Sequence, residues 1–376
     1  MEFTAQRLSP SQESGRNPTL SAYLRPALGI IKWVIALGIV SYLGYQNREQ
    51  FERLYTEPIH WQFLIAAFVL CGSSIILTFY RWYLLVVALD FPFKFSDALR
   101  LGFLGYLFNY VAPGAVGGDV VKGVLMAREQ HGRRSVAVAT ILLDRILGLM
   151  GLLIVGAGAT LLVADNIEHR REIVIVLWGG SIAGLTGLLV MLHPATPNSW
   201  WMKLLIRIPK AGPIIADIED GISLYQQRRA IVALTVVLSI IGHFGIISSF
   251  YCCARVVATA AETPSYVTHL LLIPLAEIVG VIVPLTPGGV GVLEAAVQES
   301  YKLAGANPGI GLLAVGAYRV TTILIASIGA VYYLASKRQI QKLLAEEQAK
   351  SDAAPSEGTL EDSATTGQTS AALPET

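Results

Sequence analysis

Two arginines lie inside apolar stretches of this sequence, where a charged side chain needs either an ionic partner or a function. Arg145 and Arg319 each lie about ten residues into an apolar run. A charge at the centre of a bilayer costs about 2.5–3.5 kcal/mol even on the gentler scales. Because guanidinium groups form paired hydrogen bonds with phosphates and carboxylates, the two residues predict either anion binding or buried ion pairs.

Other polar residues that could complete such a site also lie in or beside the apolar runs. The candidate substrate-binding residues are Arg145, Arg319, Asp119, Glu294, Asp144, Asn109 and Lys122. On a structural interpretation, these charges and Glu277 pair with one another and hold helices together. On a functional interpretation, the arginines bind a phosphate, while Asp119 and Glu294 balance their charge or bind a cationic group.

Two proline–glycine motifs interrupt the apolar regions just before two of these acids. Their residues are Pro113, Gly114, Gly117, Gly118, Pro284, Pro287, Gly288, Gly289 and Gly291. Proline removes a backbone donor and glycine permits unusual dihedral angles, so each motif predicts the end of a helix. A helix that restarts there presents free N–H groups and a positive dipole end, which bind phosphate or carboxylate. Alternatively, the glycines are hinges or sites of close helix packing.

The second motif repeats the first at an offset of 174 residues. At that offset Pro287 falls on Pro113, and Arg319 falls on Arg145. An ungapped match of this kind suggests an internal repeat.

The composition predicts a membrane protein. The chain is 53% hydrophobic and 15% charged, with a mean hydropathy of +0.56, whereas soluble domains contain about 25% charged residues. A net charge of +1 gives no indication of nucleic-acid binding. The cysteines Cys71, Cys252 and Cys253 lie in apolar runs and predict small buried residues, not a disulfide framework or metal site. No metal spacing, cofactor motif or soluble catalytic domain is visible, so we expect neither a metal, nor a cofactor, nor enzyme activity.

The predicted fold is an all-α polytopic membrane protein with about six full spans and two hairpins broken at Pro-Gly. The spans are 27–45, 62–80, 135–163, 173–192, 230–256 and 309–334, and the second ends at an expected interfacial anchor, Arg81-Trp82-Tyr83. The hairpins are 97–112 with 114–128, and 267–284 with 288–304. Because a span needs about 20 residues, these shorter segments predict half-helices; eight spans result if the hairpins cross the membrane.

Around and within this membrane domain, residues 25–335, three polar or amphipathic segments are predicted. Residues 1–24 and 345–376 are expected to be disordered and cytoplasmic. Residues 193–228 carry apolar stripes beside charged ones, a pattern typical of helices in the membrane surface.

Basic residues alternate between the loops so that the N- and C-termini are expected in the cytoplasm. On that topology, the first hairpin opens to the cytoplasm and the second opens to the outside. Arg145 and Arg319 then lie on spans of opposite direction. The two repeats are therefore predicted to be inverted, an arrangement that many transporters use.

With Asn109-x-x-x-Pro-Gly-x-x-Gly-Gly-Asp119, Asp144-Arg145 and Pro284-Leu-Thr-Pro-Gly-Gly-Val-Gly-Val-Leu-Glu294 in view, the chain resembles a known family. It is similar, over about residues 25–335, to the flippase-like transmembrane region of lysylphosphatidylglycerol synthases. Stand-alone membrane proteins and relatives linked to hopanoid and dolichol-sugar pathways share this region. Asp144-Arg145 departs from the Glu-Arg that the family often shows. The synthases also carry a soluble aminoacyl-transferase domain, and only a polar tail follows here, so synthase activity is not expected.

The resemblance implies lipid translocation in a bacterial or archaeal cytoplasmic membrane, with membrane lipids as the partners. The leading hypothesis is a translocator for a lipid with a phosphate-containing head group. One alternative is a membrane transferase, or its subunit, that acts on a polyprenyl-phosphate or modified phospholipid. Another is a non-transporting membrane protein that positions partner proteins.

Overall fold

A computed structural model describes residues 20–111, 117–129, 134–163, 167, 169–196, 199–200, 204, 212–282 and 286–353. These residues form α-helices, one 3-10 turn and connecting loops, with no strand among them. The helices are α1 Leu20–Gln46, α2 Arg48–Thr56, α3 Trp61–Val87, α4 Phe95–Val111, α5 Gly117–Glu129, α6 Arg134–Ala159, α7 Arg170–Leu192, α8 Gly212–Gln227, α9 Arg229–Arg255, α10 Tyr266–Ile282, α11 Val292–Leu303 and α12 Pro308–Ala353.

Five helices in the described chain are long and apolar enough to cross a membrane. Their apolar lengths are Trp61–Val87, Ser135–Ala159, Arg170–Leu192, Arg229–Arg255 and Pro308–Ala335. Large aliphatic side chains remain exposed along them, as Ile182 and Leu189 do on α7, which suits helices surrounded by lipid. The predicted all-α, multi-pass membrane fold is confirmed. The sixth predicted span, 27–45, falls within α1; the number of crossings and the inverted repeat stay predictions.

Both predicted half-helix hairpins are present. α4 and α5 have 17 and 13 residues, and α10 and α11 have 17 and 12, all below the roughly 20 residues that a span needs. Between α10 and α11, residues Pro287–Gly289 form a 3-10 turn. Pro113 and Gly114 of the first break, and Pro284 of the second, lie outside the described residues.

The interior is built around α3, which packs lengthwise on α9 and also contacts α4 and α6. Small residues allow this close approach, as where the hydroxyl of Ser249 on α9 donates to the carbonyl of Ala67 on α3. The rings of Phe250 on α9 and Tyr318 on α12 stack with their centroids 3.9 Å apart. These contacts fix the long helices against which both hairpins lie.

Two ion pairs join loops that the predicted topology places on the same side. Arg53 on α2 pairs with Glu262, which follows α9, at 2.7 Å. At the other end of α9, Arg228 pairs with Asp90, which follows α3, at 2.6 Å. The ends of α3 and α9 therefore agree with the predicted alternation of loops.

The chain divides into a unit that ends at Tyr332 and a second that begins at Tyr333. α12 continues through the second unit to Ala353, so the helix extends into the segment 345–376 that was expected to be disordered. That extension is rich in Lys, Gln, Leu, Ala and Glu, which have high helix propensity. At the other end of the chain, α1 begins at Leu20, before the predicted domain boundary.

The segment 193–228, expected to lie in the membrane surface, is described in part. Its helix α8 is held against the membrane helices, because the hydroxyl of the buried Tyr225 donates to the carbonyl of Leu85 on α3. The side-chain amide of Gln226 donates to the carbonyls of Met191 and His193. The position of this segment relative to a bilayer stays a prediction.

Candidate functional site

The two helix breaks meet at the carboxyl end of α4. The side-chain oxygen of Asn109 accepts a hydrogen bond of 3.0 Å from the backbone N–H of Gly118, at the start of α5. On the other side, Gly288 of the second break lies against the end of α4. A Cβ added to Gly288 would lie 3.2 Å from Cδ1 of Tyr110 and 3.6 Å from the carbonyl oxygen of Asn109. Asn109 and Tyr110 therefore lie between the two breaks.

The first hairpin is closed by a very close approach of its two helices. A Cβ at Gly118 would overlap the backbone carbonyl of Gly105 on α4. Neither backbone can retreat without opening the hairpin. Gly118 is thus required by the packing of α5 on α4.

Arg319 on α12 holds the second break in place. Its Nη1 and Nη2 donate to the carbonyl oxygens of Gly288 and Gly289, at 2.8 and 2.9 Å. Both glycines have positive φ angles, 60° and 65°, a conformation that glycine adopts without steric cost. The left-handed turn thus directs two consecutive carbonyls at one guanidinium group.

The same guanidinium forms an ion pair with Glu294, in the first turn of α11. Nε lies 2.8 Å from Oε1 and Nη2 lies 3.3 Å from Oε2. Oε2 also accepts a hydrogen bond of 2.6 Å from the backbone N–H of Gly291, so the acid caps its own helix, as expected of a first-turn carboxylate. The Arg319 and Glu294 side chains are only 14% and 8% exposed. The cluster is therefore closed and internally neutralised.

Arg145 on α6 forms a similar ion pair at the first break, but its side chain is half exposed. Its Nε lies 2.6 Å from Oδ2 of Asp119, in the first turn of α5, and the side chains are 52% and 12% exposed. Arg145 and Arg319 thus each pair with an acid in the first turn after a break. The open guanidinium has surface available for a further anion, whereas Arg319 has little.

The exposed side of Arg145 belongs to an apolar face of α6. Leu142, Ile146 and Leu149 on the same face are also exposed. A guanidinium group therefore lies among side chains suited to lipid tails, about halfway along a membrane-spanning helix.

Lys122 on α5 lies within an aromatic enclosure near this pair. Its Nζ is 5.6 Å from the ring centroid of Phe79 and 5.3 Å from that of Trp82, distances at which a cation is attracted to the faces of the rings. Asp119 and Asp144 are its acidic neighbours. Among the described residues, no carboxylate forms an ion pair with it.

Asp144 is turned away from Arg145 and pairs with Arg81 on α3. Consecutive residues of a helix lie about 100° apart, so the two side chains face different neighbours. Arg81 Nε lies 2.8 Å from Oδ1 of Asp144, Nη2 binds the Asp144 carbonyl, and Nη1 binds the hydroxyl of Ser239. Arg81 and Asp144 are only 4% and 7% exposed.

This pair corrects one prediction. Arg81 was expected to be an interfacial anchor, but α3 continues to Val87 and buries it. The sequence signal that could have revealed it is the apolar run Leu84–Leu89 that follows, which leaves Arg81 inside the span. Asp144 is therefore a partner of Arg81, and its position favours a structural role.

The charges divide unequally between the two breaks. Around the first, Arg81, Arg145 and Lys122 face Asp119 and Asp144, which leaves one positive charge in excess among the described residues. Around the second, Arg319 and Glu294 cancel. Within the described residues no group of three or more His, Cys, Asp or Glu side chains could hold a metal ion. The first break is thus the better place for an anion.

The chain matches the family described as lysylphosphatidylglycerol synthase TM region over residues 29–330. It therefore belongs to this family, which confirms the resemblance predicted from the two motifs. The matched residues include both breaks, Arg145 and Arg319. A search of curated proteins and a search of solved structures each found no match.

Proposed function

We propose that this protein moves a lipid with a phosphate-containing head group between the two leaflets of a membrane. The observation that supports this most is the half-exposed guanidinium of Arg145 on an apolar face of a membrane-spanning helix. Asp119 compensates the Nε side of this charge, but the exposed remainder of the guanidinium is costly on an apolar face. A lipid would supply both a phosphate for the guanidinium and acyl chains for the flanking leucines.

In this proposal, the phosphate binds at the first break. Arg145 supplies the paired donors, and Asp119 holds its guanidinium through Nε while leaving the outer side of the group open. Lys122 supplies a point charge that tolerates varied phosphate geometry. The first turn of α5 adds the positive end of a helix dipole.

Arg319 takes a different role. Since four of its N–H···O contacts already go to Glu294, Gly288 and Gly289, it fixes the shape of the second break. Movement of one hairpin against the other, about their meeting point at Asn109 and Tyr110, would open the site to alternate leaflets. Transfer of this kind needs no cofactor and no covalent chemistry. We place the protein in the cytoplasmic membrane with both termini in the cytoplasm.

The test is lipid transfer by the purified protein in liposomes that contain fluorescent lipids. Wild-type protein should move a labelled phospholipid without an added donor, and should move a labelled neutral glycolipid much more slowly. Arg145→Gln should remain inserted and monodisperse but lose most of the transfer. Arg145→Lys should retain only part of the wild-type rate of lipid transfer, because lysine keeps the charge but lacks the paired donors.

The matched control is Arg229→Gln, which removes an exposed arginine at the start of α9 that binds only the nearby Gln226 carbonyl among the described residues. This variant should transfer lipid at the wild-type rate. Full activity of Arg145→Gln, or equal transfer of the neutral glycolipid, would refute the proposed phosphate site. Turnover that requires an added donor would favour the transferase alternative instead.

A further inference from the structure

One acid within an apolar helix has no part in the site described above. Glu277 lies in the apolar helix α10, ten residues before Pro287 of the second break. Its side chain is partly buried and forms no ion pair or hydrogen bond with any described residue. The other acids of the two sites, Asp119, Asp144 and Glu294, each have an arginine partner.

The groups that face Glu277 are neutral. The ionisable side chains that interact electrostatically with Glu277 are Cys71 on α3 and Tyr318 on α12. The helices α6, α9 and α11 also pack on α10, but no charged group from their described residues acts on Glu277. A carboxylate here would lack compensation, and burial then favours the uncharged carboxylic acid.

A line of phenols leads from Glu277 to the second break. Tyr318 is an electrostatic neighbour of Tyr106 and Tyr110 on α4, whose rings are 5.9 Å apart in an edge-to-face arrangement. Tyr110 in turn lies beside Gly288 and interacts with Arg319. Side chains that carry hydroxyl groups therefore lie between Glu277 and the cluster that shapes the break.

We propose that Glu277 binds and releases one proton in each transfer cycle and so couples lipid movement to a proton gradient. The inference rests on the proposed function. In the closed arrangement the carboxyl group holds the proton; when movement of the hairpin admits water, the O–H bond breaks and the proton passes to water as the carboxylate forms. Intramembrane acids of proton-coupled transporters work in this way.

The first test is independent of transport. Infrared difference spectra of the reconstituted protein across a pH titration should contain the carbonyl band of a protonated carboxylic acid. Glu277→Gln should lose this band, and Glu277→Asp, which keeps a carboxyl group, should retain one. Glu299→Gln is the matched control, since Glu299 is an exposed acid paired with Lys302. A band unchanged in Glu277→Gln overturns the proton site.

The second test imposes a pH difference across proteoliposomes. With one proton per lipid, each pH unit should shift the distribution of labelled phospholipid between leaflets by up to about tenfold, because that is the ratio of proton activities. Glu277→Gln should show no such shift, while Glu277→Asp and Glu299→Gln should keep it.

The outcomes separate the two proposals. Wild-type protein that moves phospholipid to the same distribution with and without the pH difference overturns the coupling alone. If a sodium gradient shifts the lipid distribution and a pH difference does not, the proposal that the coupling ion is a proton is overturned. Protein that titrates at Glu277 but moves no lipid overturns the proposed function and the coupling with it.

Discussion

The guanidinium of Arg319 contacts both carboxylate oxygens of Glu294, at 2.8 and 3.3 Å. It also binds the carbonyls of Gly288 and Gly289, so one side chain joins α12, the turn and the start of α11. Arg145, which lies 174 residues earlier, pairs with Asp119 but is half exposed. The two arginines correspond in sequence, and their substitution should nevertheless have different consequences.

Arg319→Gln should destabilise the protein by about 3–5 kcal/mol, because it leaves the carboxylate of Glu294 buried without its partner. Unfolding in detergent, followed by circular dichroism against temperature and denaturant, measures the loss. Adding Glu294→Gln should restore part of the stability, since the uncompensated charge is then removed. Wild-type stability of the single variant would show that the pair does not support the break.

The buried pair of Arg81 and Asp144 should behave in the same way. Asp144→Asn should cost about 3–5 kcal/mol, because the Arg81 guanidinium loses its counter-charge inside the helices. The control is Glu299→Gln, which breaks an exposed pair with Lys302 and should change stability by no more than about 1 kcal/mol. Equal effects of the two substitutions on the unfolding midpoint would show that the buried pair of Arg81 and Asp144 does not stabilise the fold.

Gly118→Ala should destabilise the first hairpin by about 1–3 kcal/mol, the usual cost of overpacking. The added methyl group would meet the backbone carbonyl of Gly105, which cannot rotate away. Gly158→Ala is the matched control, because nothing lies within 4 Å of its added Cβ on α6. This control should be neutral or stabilising by up to about 1 kcal/mol. Similar melting temperatures for both variants would show that the hairpin can open without cost.

Much of this arrangement could be predicted from local sequence. The Pro-Gly motifs predicted both helix breaks, because the backbone preferences of proline and glycine act over a few residues. The need to compensate a charge in an apolar run identified Arg319 and Glu294 as candidate partners, and the structure brings them together.

What could not be predicted depends on how distant helices pack. Arg81 resembled an interfacial anchor because aromatic residues flank it, and only the packing of α3 on α6 makes it the partner of Asp144. The unequal exposure of Arg145 and Arg319 is likewise invisible in two runs of similar composition. The isolation of Glu277 depends on which side chains the surrounding helices place around it.

The loop after α9 should make stability depend on acid pH. Backbone N–H donation from Thr259, with the Arg53 guanidinium and the Thr259 hydroxyl, lowers the pKa of Glu262 from its ordinary 4.5 to about 2. Because the folded pKa is below the unfolded one, the carboxylate stabilises the fold above about pH 4.5 and this contribution disappears as the pH falls to about 2. Melting temperatures of wild type and Glu262→Gln should therefore converge across that interval. Arg53→Gln should retain part of the dependence; parallel curves for wild type and Glu262→Gln would contradict the assignment.

The predicted orientation can be tested with single cysteines. In a variant that lacks Cys71, Cys252 and Cys253, Lys94→Cys should react with an impermeant maleimide only from the cytoplasmic side. Ala260→Cys, in the loop after α9, should react only from outside. Both positions are exposed. Labelling in the opposite sense would reverse the orientation, and labelling from one common side would contradict the alternation of loops.

The close approach of Gly118 to Gly105 also bears on how the chain enters the membrane during synthesis. With 17 and 13 residues, α4 and α5 are each too short for the insertion machinery to release as a separate transmembrane segment. Their polar ends become compensated only after the chain has turned and Asn109 has capped the second helix. We therefore expect the pair to enter the membrane together, as one hairpin, and to be completed when α6 brings Arg145 to Asp119.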